Sequence, residues 1–227
     1  MTAIMLNDPF LTLRQLRCVR DDRVLFSELT LDLAPGEIVQ VAGPNGSGKT
    51  TLLRIVSGIS LDFEGEIEWS GVAVEQNRRA YQRDLLFIGH QAGIKAALTP
   101  EENLRAIMGM HGRFRQEDIH EALCKVDLYG FEDVPCHQLS AGQQRRVALA
   151  RLYLSRQRLW ILDEPFTAID RVGVKALELL LIRHAQRGGM VMLTTHHELG
   201  IQYQGLKRLD LAELLSASEH SGAIDAV

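Results

Sequence analysis

Residues 37–59 read EIVQVAGPNGSGKTTLLRIVSGI. EIVQVAG is a near-continuous apolar run of the kind that forms a buried parallel strand. GPNGSGKT, residues 43–50, matches G-x-x-x-x-G-K-[ST], and TLLRIVSGI behind it is an apolar helix. Strand, glycine-rich turn and helix together are the context in which this motif binds phosphate. Gly43, Gly46 and Gly48 let the backbone curl, so that the N–H groups of the loop (Pro44, Asn45, Ser47 and Thr51 being its other members) cradle phosphate oxygens. Lys49 is placed to reach the β- and γ-phosphates, and the Thr50 hydroxyl to hold Mg²⁺. The alternative, a glycine-rich turn that merely precedes a helix, is the weaker account of strand, loop and helix together. The stretch implies a nucleoside-triphosphate site.

Two other runs, RLWILDEP at 158–165 and MVMLTTHH at 190–197, have the same apolar character. They imply further parallel strands covered on both faces. The first ends in Asp163, which puts a carboxylate at the strand's C-terminal end, where Mg²⁺ would sit. Glu164 follows and points to the opposite face, where it can polarise a water. Taken alone, two acids before a proline turn would mean little. Beside a P-loop, an acid at Glu164 argues for hydrolysis rather than nucleotide sensing.

Before the P-loop the pattern is β. FLTLRQLRCV and LTLDL alternate around the turn RDDR, APGE is a second turn, and GEIEWSG is another short strand closed by Gly71. Between Gln91 and Leu139 the pattern is helical. In TPEENLRAIM, Thr99 is an N-cap with Pro100 at N1 and Glu102 at N3, and QEDIHEALCKVDL places Ile119, Leu123 and Val126 at helical spacing. The expected fold is α/β: a P-loop (RecA-like) parallel-sheet core, an antiparallel β subdomain, and a helical insertion at about 92–140. One domain is expected over 1–215, with a flexible tail at 216–227.

Composition narrows the function. The chain has 227 residues, 46% hydrophobic and 24% charged, with a net charge of −4, which gives no footprint for nucleic acid. No apolar run approaches the ~20 residues of a membrane span, and MTAIMLNDPF lacks the pattern of a signal peptide. A cytosolic protein without direct membrane insertion is expected, unless a partner docks it on a membrane. Cys18, Cys124 and Cys136 are scattered and read as reduced, partly buried thiols. Ligation of metal or haem by the Cys136–His137 pair is the competing reading.

HQLSAGQQRRVALARL, residues 137–152, poses a separate question. Ser140 and Gln143 form a capping box, which an ordinary helix start would explain. Gly142 in the first turn weakens that account, because glycine inside a helix is costly unless the backbone must approach something closely. A helix N-terminus with a serine hydroxyl is a ready anion site. The P-loop already takes the intramolecular phosphate position, so the second element is expected to serve the nucleotide of another subunit.

Leu139 to Gln143, L-S-A-G-Q, resembles the signature of the ATP-binding-cassette ATPases, with Ala141 where the commoner pattern has glycine. The rest of that family's set follows in order. Gln91 in GHQAG corresponds to its Mg²⁺- and water-sensing glutamine, Asp170 in TAID to the loop that communicates across the dimer, and His196 in LTTHH to the histidine that contacts the γ-phosphate. The resemblance runs from Leu11 to about Leu211. It implies an Mg-dependent ATPase that closes head-to-tail on a second copy of itself, with two ATP molecules between P-loop and signature (Ser140, Ala141, Gly142, Gln143). Cassettes of this kind stack an aromatic residue on adenine. Arg20 stands at that position, either to stack its guanidinium or as a solvated turn residue. IGHQAGIKAALTPEENL, QLSAGQQRRVALARL and WILDEPFTAID resemble the ATP-binding subunits of bacterial cytochrome c maturation haem exporters. The chain's length fits too, with no regulatory domain after His196. That likeness implies integral-membrane partners, a peripheral place on the cytoplasmic face of the inner membrane, and hydrolysis that releases a haem-loaded chaperone. A transporter of another small substrate and a soluble cassette ATPase are the alternatives.

Overall fold

The computed structural model describes residues 10–109, 112–197, 199–200 and 202–213; the tail expected at 216–227 lies outside them. In chain order the strands and helices begin with β1 (Leu11–Arg20), β2 (Arg23–Leu33), β3 (Ile38–Ala42), α1 (Lys49–Val56), β4 (Glu64–Trp69), β5 (Val72–Ala73), α2 (Arg78–Asp84) and β6 (Leu85–Ile88). They continue with α3 (Pro100–Met108), α4 (Gln116–Lys125), α5 (Ala141–Leu154), β7 (Leu159–Asp163), α6 (Arg171–Gln186), β8 (Met190–Thr194) and β9 (Leu206–Asp210).

β1 and β2 form a hairpin whose turn is the RDDR expected from the sequence. Asp21 and Asp22 have φ of 49° and 61°, the double left-handed turn whose twist matches that of the flanking strands. β4 pairs on the other side of β1, and the antiparallel sheet runs β2-β1-β4-β5. The second sheet runs β6-β7-β8-β3-β9 with every pairing parallel. The three apolar runs are its central strands, and β7 and β8 are buried at every position. Burial on both faces is why they carry no polar alternation. The edge strands are different. β6 has only four residues, and β9 reads LKRLD with Lys207 and Arg208 exposed, the charged composition that protects a free edge.

Two cores follow from this layering. On one face of the parallel sheet, Val39, Val41, Ile161 and Met192 meet Leu52, Leu53, Ile55 and Val56 of α1 and the inner face of the antiparallel sheet. On the other, Trp160, Leu162, Val191 and Leu193 meet α5 and α6. A third cluster joins α3, α4 and α5 through Leu104, Met108, Ile119, Leu123 and Val147, with Val126 half-buried at its border. The helical layer therefore continues past residue 140 through α5. That helix packs on the sheet with Ala148, Leu149 and Leu152 and on the helical cluster with Val147, Ala150 and Leu154, which is why apolar residues surround its axis.

α3 starts at the expected capping box. Thr99 Oγ1 accepts from Glu102 N (3.2 Å), and Glu102 Oε2 accepts from Thr99 N (2.9 Å). Cys18 and Cys136 are buried thiols and Cys124 is exposed. The core boundary splits the Cys136–His137 pair. The Cys136 sulfur accepts from Asn103 Nδ2 at 3.3 Å inside the helical cluster, whereas His137 is exposed with Nδ1 3.2 Å from Ala96 O. Among the described residues no group of three or more His, Cys, Asp or Glu side chains is arranged around a metal site.

His184 of α6 stacks on Trp160 of β7 with centroids 3.7 Å and planes 7° apart. Burial pushes its pKa down from 6.5 to about 4. Between those values the folded chain binds fewer protons than the unfolded one. The contribution is therefore present above pH 6.5 and lost as pH falls through about 4. The melting temperature should fall between about pH 7 and pH 4.5, and His184→Phe, which keeps a ring on Trp160, should reduce that fall when both are followed by thermal unfolding.

Candidate active site

In a sheet whose strands are all parallel, every C-terminal end points to the same edge, and ligands bind there. Here β3 delivers Gly43, β6 delivers His90, β7 delivers Asp163 and Glu164, and β8 delivers Thr194 and, two residues on, His196. A cleft of about 700 Å³ opens at this edge, lined by Lys49, Thr50, Thr51, Glu164 and His196 among others.

The loop of residues 43–48 ends in a left-handed turn. Gly48 has φ 94°, and a Cβ there would stand 3.0 Å from Leu25 Cβ on β2, so both the backbone angle and the packing on the hairpin require glycine. The backbone N–H groups of Lys49, Thr50 and Thr51 open α1, where helix geometry leaves them without intrahelical acceptors. Lys49 Nζ donates to the carbonyls of Gly43 (2.8 Å) and Pro44 (2.9 Å), which holds its ammonium against the loop. Ser47 Oγ is buried and has no hydrogen-bond partner among the described residues. An orphaned hydroxyl, aligned N–H groups and a held ammonium fit a bound polyphosphate.

Asp163 is 1% exposed. Its Oδ1 accepts from Thr50 Oγ1 (3.2 Å) and Thr194 Oγ1 (2.7 Å). Both donors are neutral, and among the described residues no lysine, arginine or histidine pairs with this carboxylate. A buried carboxylate in such a setting is costly unless a cation completes it, and hard oxygen donors suit Mg²⁺. The residues therefore fit the ion that the sequence implied.

Glu164 sits beside Asp163 with φ 49°. Its Oε2 accepts from His196 N (3.3 Å), and its Oε1 lies 3.6 Å from His196 Nε2. A carboxylate and an imidazole thus meet in the lining of the cleft. Arg20 also lines the cleft. Its Nη2 donates to Ser60 Oγ (3.3 Å), and its Nε is 3.4 Å from Asp62 Oδ2. It is exposed, with these two contacts tying it to the wall of the cleft. Gln91 is exposed just beyond β6, and its neighbour His90 is the residue that lines the cleft.

The signature lies elsewhere. Ser140 and Ala141 are exposed, and none of residues 139–143 lines the cleft. The Ser140 hydroxyl caps α5, accepting from Gln143 N (3.2 Å), while Gln143 Oε1 accepts from Ser140 N (2.9 Å). A Cβ on Gly142 would stand 3.2 Å from Ala168 O. The close approach that this glycine permits is therefore made within the chain, to the turn before α6. Asp170 caps α6 by accepting from Gly173 N (2.8 Å) and pairs with Arg146 Nη2 (3.0 Å). The Gly173 N–H, more than Arg146, holds its carboxyl below the usual range.

Sequence reasoning missed two residues. Thr194 closes an apolar strand with a hydroxyl that donates to Asp163 and accepts Glu164 N–H (3.0 Å). Arg145 is buried and contacts the backbone of both acids. The available signals were a polar residue ending MVMLT and an arginine on the apolar stripe of α5, three and four residues before Ala148 and Leu149.

The sequence profile of the ABC transporter family matches residues 26–167. The chain belongs to the ABC transporter family. Within it, this cassette is 52% identical over 203 residues to the cytochrome c biogenesis ATP-binding export protein CcmA of Aliivibrio fischeri, covering 89% of this chain and 100% of that one. The CcmA of Pseudomonas fluorescens is likewise 52% identical, over 91% of this chain and 98% of the relative. A solved ABC transporter ATP-binding protein from Pyrococcus furiosus superposes with a TM-score of 0.77 at 26% identity, covering 90% of this chain and 98% of that one. A dimeric ATP-binding cassette solved after hydrolysis, with ADP and phosphate bound, superposes with a TM-score of 0.73 at 25% identity, over 82% of this chain and 88% of that one. The cassette fold expected from the sequence is the one found.

Among the described residues, Lys49→Ala removes the only ammonium that lines this cleft. MgATP should bind roughly 10- to 100-fold more weakly, the loss expected for a charge-assisted hydrogen bond. Titration calorimetry checks this, and wild-type affinity would contradict the phosphate assignment.

Proposed function

We propose that this chain is the ATP-hydrolysing subunit of a membrane complex for cytochrome c biogenesis, and that the complex exports haem. The observation that carries the reading is 52% identity to CcmA export proteins over their full or nearly full length. The CcmA name speaks of export for cytochrome c biogenesis, and haem is the group that c-type cytochromes carry. The chain would work peripherally on the cytoplasmic face of the inner membrane, held by integral-membrane subunits. No described helix is long and apolar enough to cross a membrane itself.

The residue roles rest on the family resemblance together with this geometry. Gly43 to Thr51 bind the phosphates, with Lys49 on the β- and γ-oxygens. Thr50 and Asp163, joined by Gln91, would hold Mg²⁺, which when bound would offset charge on the β- and γ-phosphates. Glu164 takes a proton from the attacking water as the water oxygen bonds to the γ-phosphorus and the bridging oxygen leaves with ADP. His196, within reach of Glu164, contacts the γ-phosphate. Arg20 covers the adenine. The exposed Ser140–Gln143 segment faces the nucleotide of a second copy, with Asp170 beside it at that seam. A head-to-tail dimer is supported by the absence of the signature from its own chain's cleft.

Glu164→Gln tests the chemistry and the biology together. It keeps the side chain's shape and removes the base, so turnover should fall by about 10²–10⁴, while MgATP affinity changes little. Cells carrying the variant should assemble the complex yet lack mature c-type cytochromes. Undiminished ATPase activity would remove Glu164 from its role, and lost ATPase activity with normal cytochrome c formation would reject the export reading.

A further inference from the structure

Glu164 occupies the left-handed region, φ 49°, which a non-glycine residue keeps only where its surroundings fix it. Its N–H is held by Thr194. Its carbonyl is held by Arg145, whose Nη2 donates to Glu164 O (3.0 Å) and Asp163 O (2.7 Å). The other terminal nitrogen, Nη1, donates to Gly89 O (2.6 Å) and His90 O (3.3 Å). All four terminal N–H groups of one guanidinium are thus spent on backbone carbonyls leaving two adjacent strands, β6 and β7.

Arg145 is 6% exposed, and among the described residues no carboxylate forms an ion pair with it. The Asp163 and Glu164 carboxylates are its nearby counter-charges, yet an apolar side chain of similar volume would fill the core at lower cost. The planar fork is suited to something else, which is holding two segments at a fixed spacing. The helix that carries it matters as well. Arg145 lies two residues after Gln143 on α5, so the same short stretch presents the signature outward and grips the catalytic strand inward.

We infer that Arg145 is a positioning residue that fixes the Glu164 backbone for attack on the γ-phosphate and ties that carboxylate to the signature helix, so that the two move as one body. This rests on the reading of Glu164 as the base. Docking of Ser140–Gln143 on one nucleotide would then be felt directly at the carboxylate serving the other.

Arg145→Lys keeps the charge but gathers its donors on one nitrogen, which cannot span both carbonyl pairs. The test uses the complex purified from membranes through a tag on the full chain. The variant's kcat should fall roughly 10- to 100-fold, as for a small misplacement of a reacting group, with KM for MgATP and the melting temperature close to wild type. In the Glu164→Gln background the same substitution should leave the residual rate unchanged within about twofold, because residues acting as a unit are not additive. Wild-type kcat in Arg145→Lys, or an equal further loss in the Glu164→Gln background, overturns the proposal. A variant that unfolds, or that loses ATP binding in step with its rate, makes Arg145 a stability residue and also overturns it. Full activity of Glu164→Gln alone would instead sink the base assignment, which separates the two failures.

Discussion

One carboxylate oxygen holds the catalytic edge together. Oδ1 of Asp163 accepts from Thr50 at the start of α1 and from Thr194 at the end of β8. The helix behind the phosphate loop and two neighbouring strands therefore meet at a single buried atom. The cost of burying that charge is tolerable only because the donors converge on it and a cation can complete it. With Asp163 fixed, the next residue is forced through a left-handed turn, and Glu164 emerges against His196 rather than into the core. The order of the sheet, with β8 beside β7, is what lets Thr194 bridge the two acids.

The same topology supports the proposal that each site is shared between two chains. The parallel strands gather their ends on one side, while α5 leaves that edge and carries its N-terminus into the helical layer. Gly142 sits under the Ala168 carbonyl, and Asp170 is tied to Arg146, so the signature, the turn before α6 and the helical layer form one surface beside the cleft rather than within it. On the proposed reading, a nucleotide held by Lys49 meets a signature by meeting a second copy of the chain.

Much of this was legible in the sequence because local physics decides it. Doubly covered strands must be apolar throughout, so β3, β7 and β8 announced themselves, and the capping boxes at Thr99 and Ser140 depend on residues three apart. What was hidden depends on tertiary neighbours. β6 is too short to show a period, and β9 carries the charges of an edge. His90 lines the cleft beside the expected Gln91 and was not singled out, because which loop residues turn inward is set by the packing of the segment. Gly142 was read as a close approach, and within the chain that approach is to Ala168, which is distant in sequence. Arg145 and Thr194 looked like one more basic residue and one more strand residue until the carbonyls and carboxylates around them were brought together by the fold.

The central claim is that each site is shared between two chains, and mixing two inactive variants tests it most directly. Ser140→Arg damages the signature and leaves its own phosphate loop intact, while Lys49→Ala does the reverse. In a mixed dimer one site carries both lesions and the other carries neither. The account predicts that the mixture hydrolyses ATP well above the rate of either variant alone. A mixture no more active than its components would contradict it.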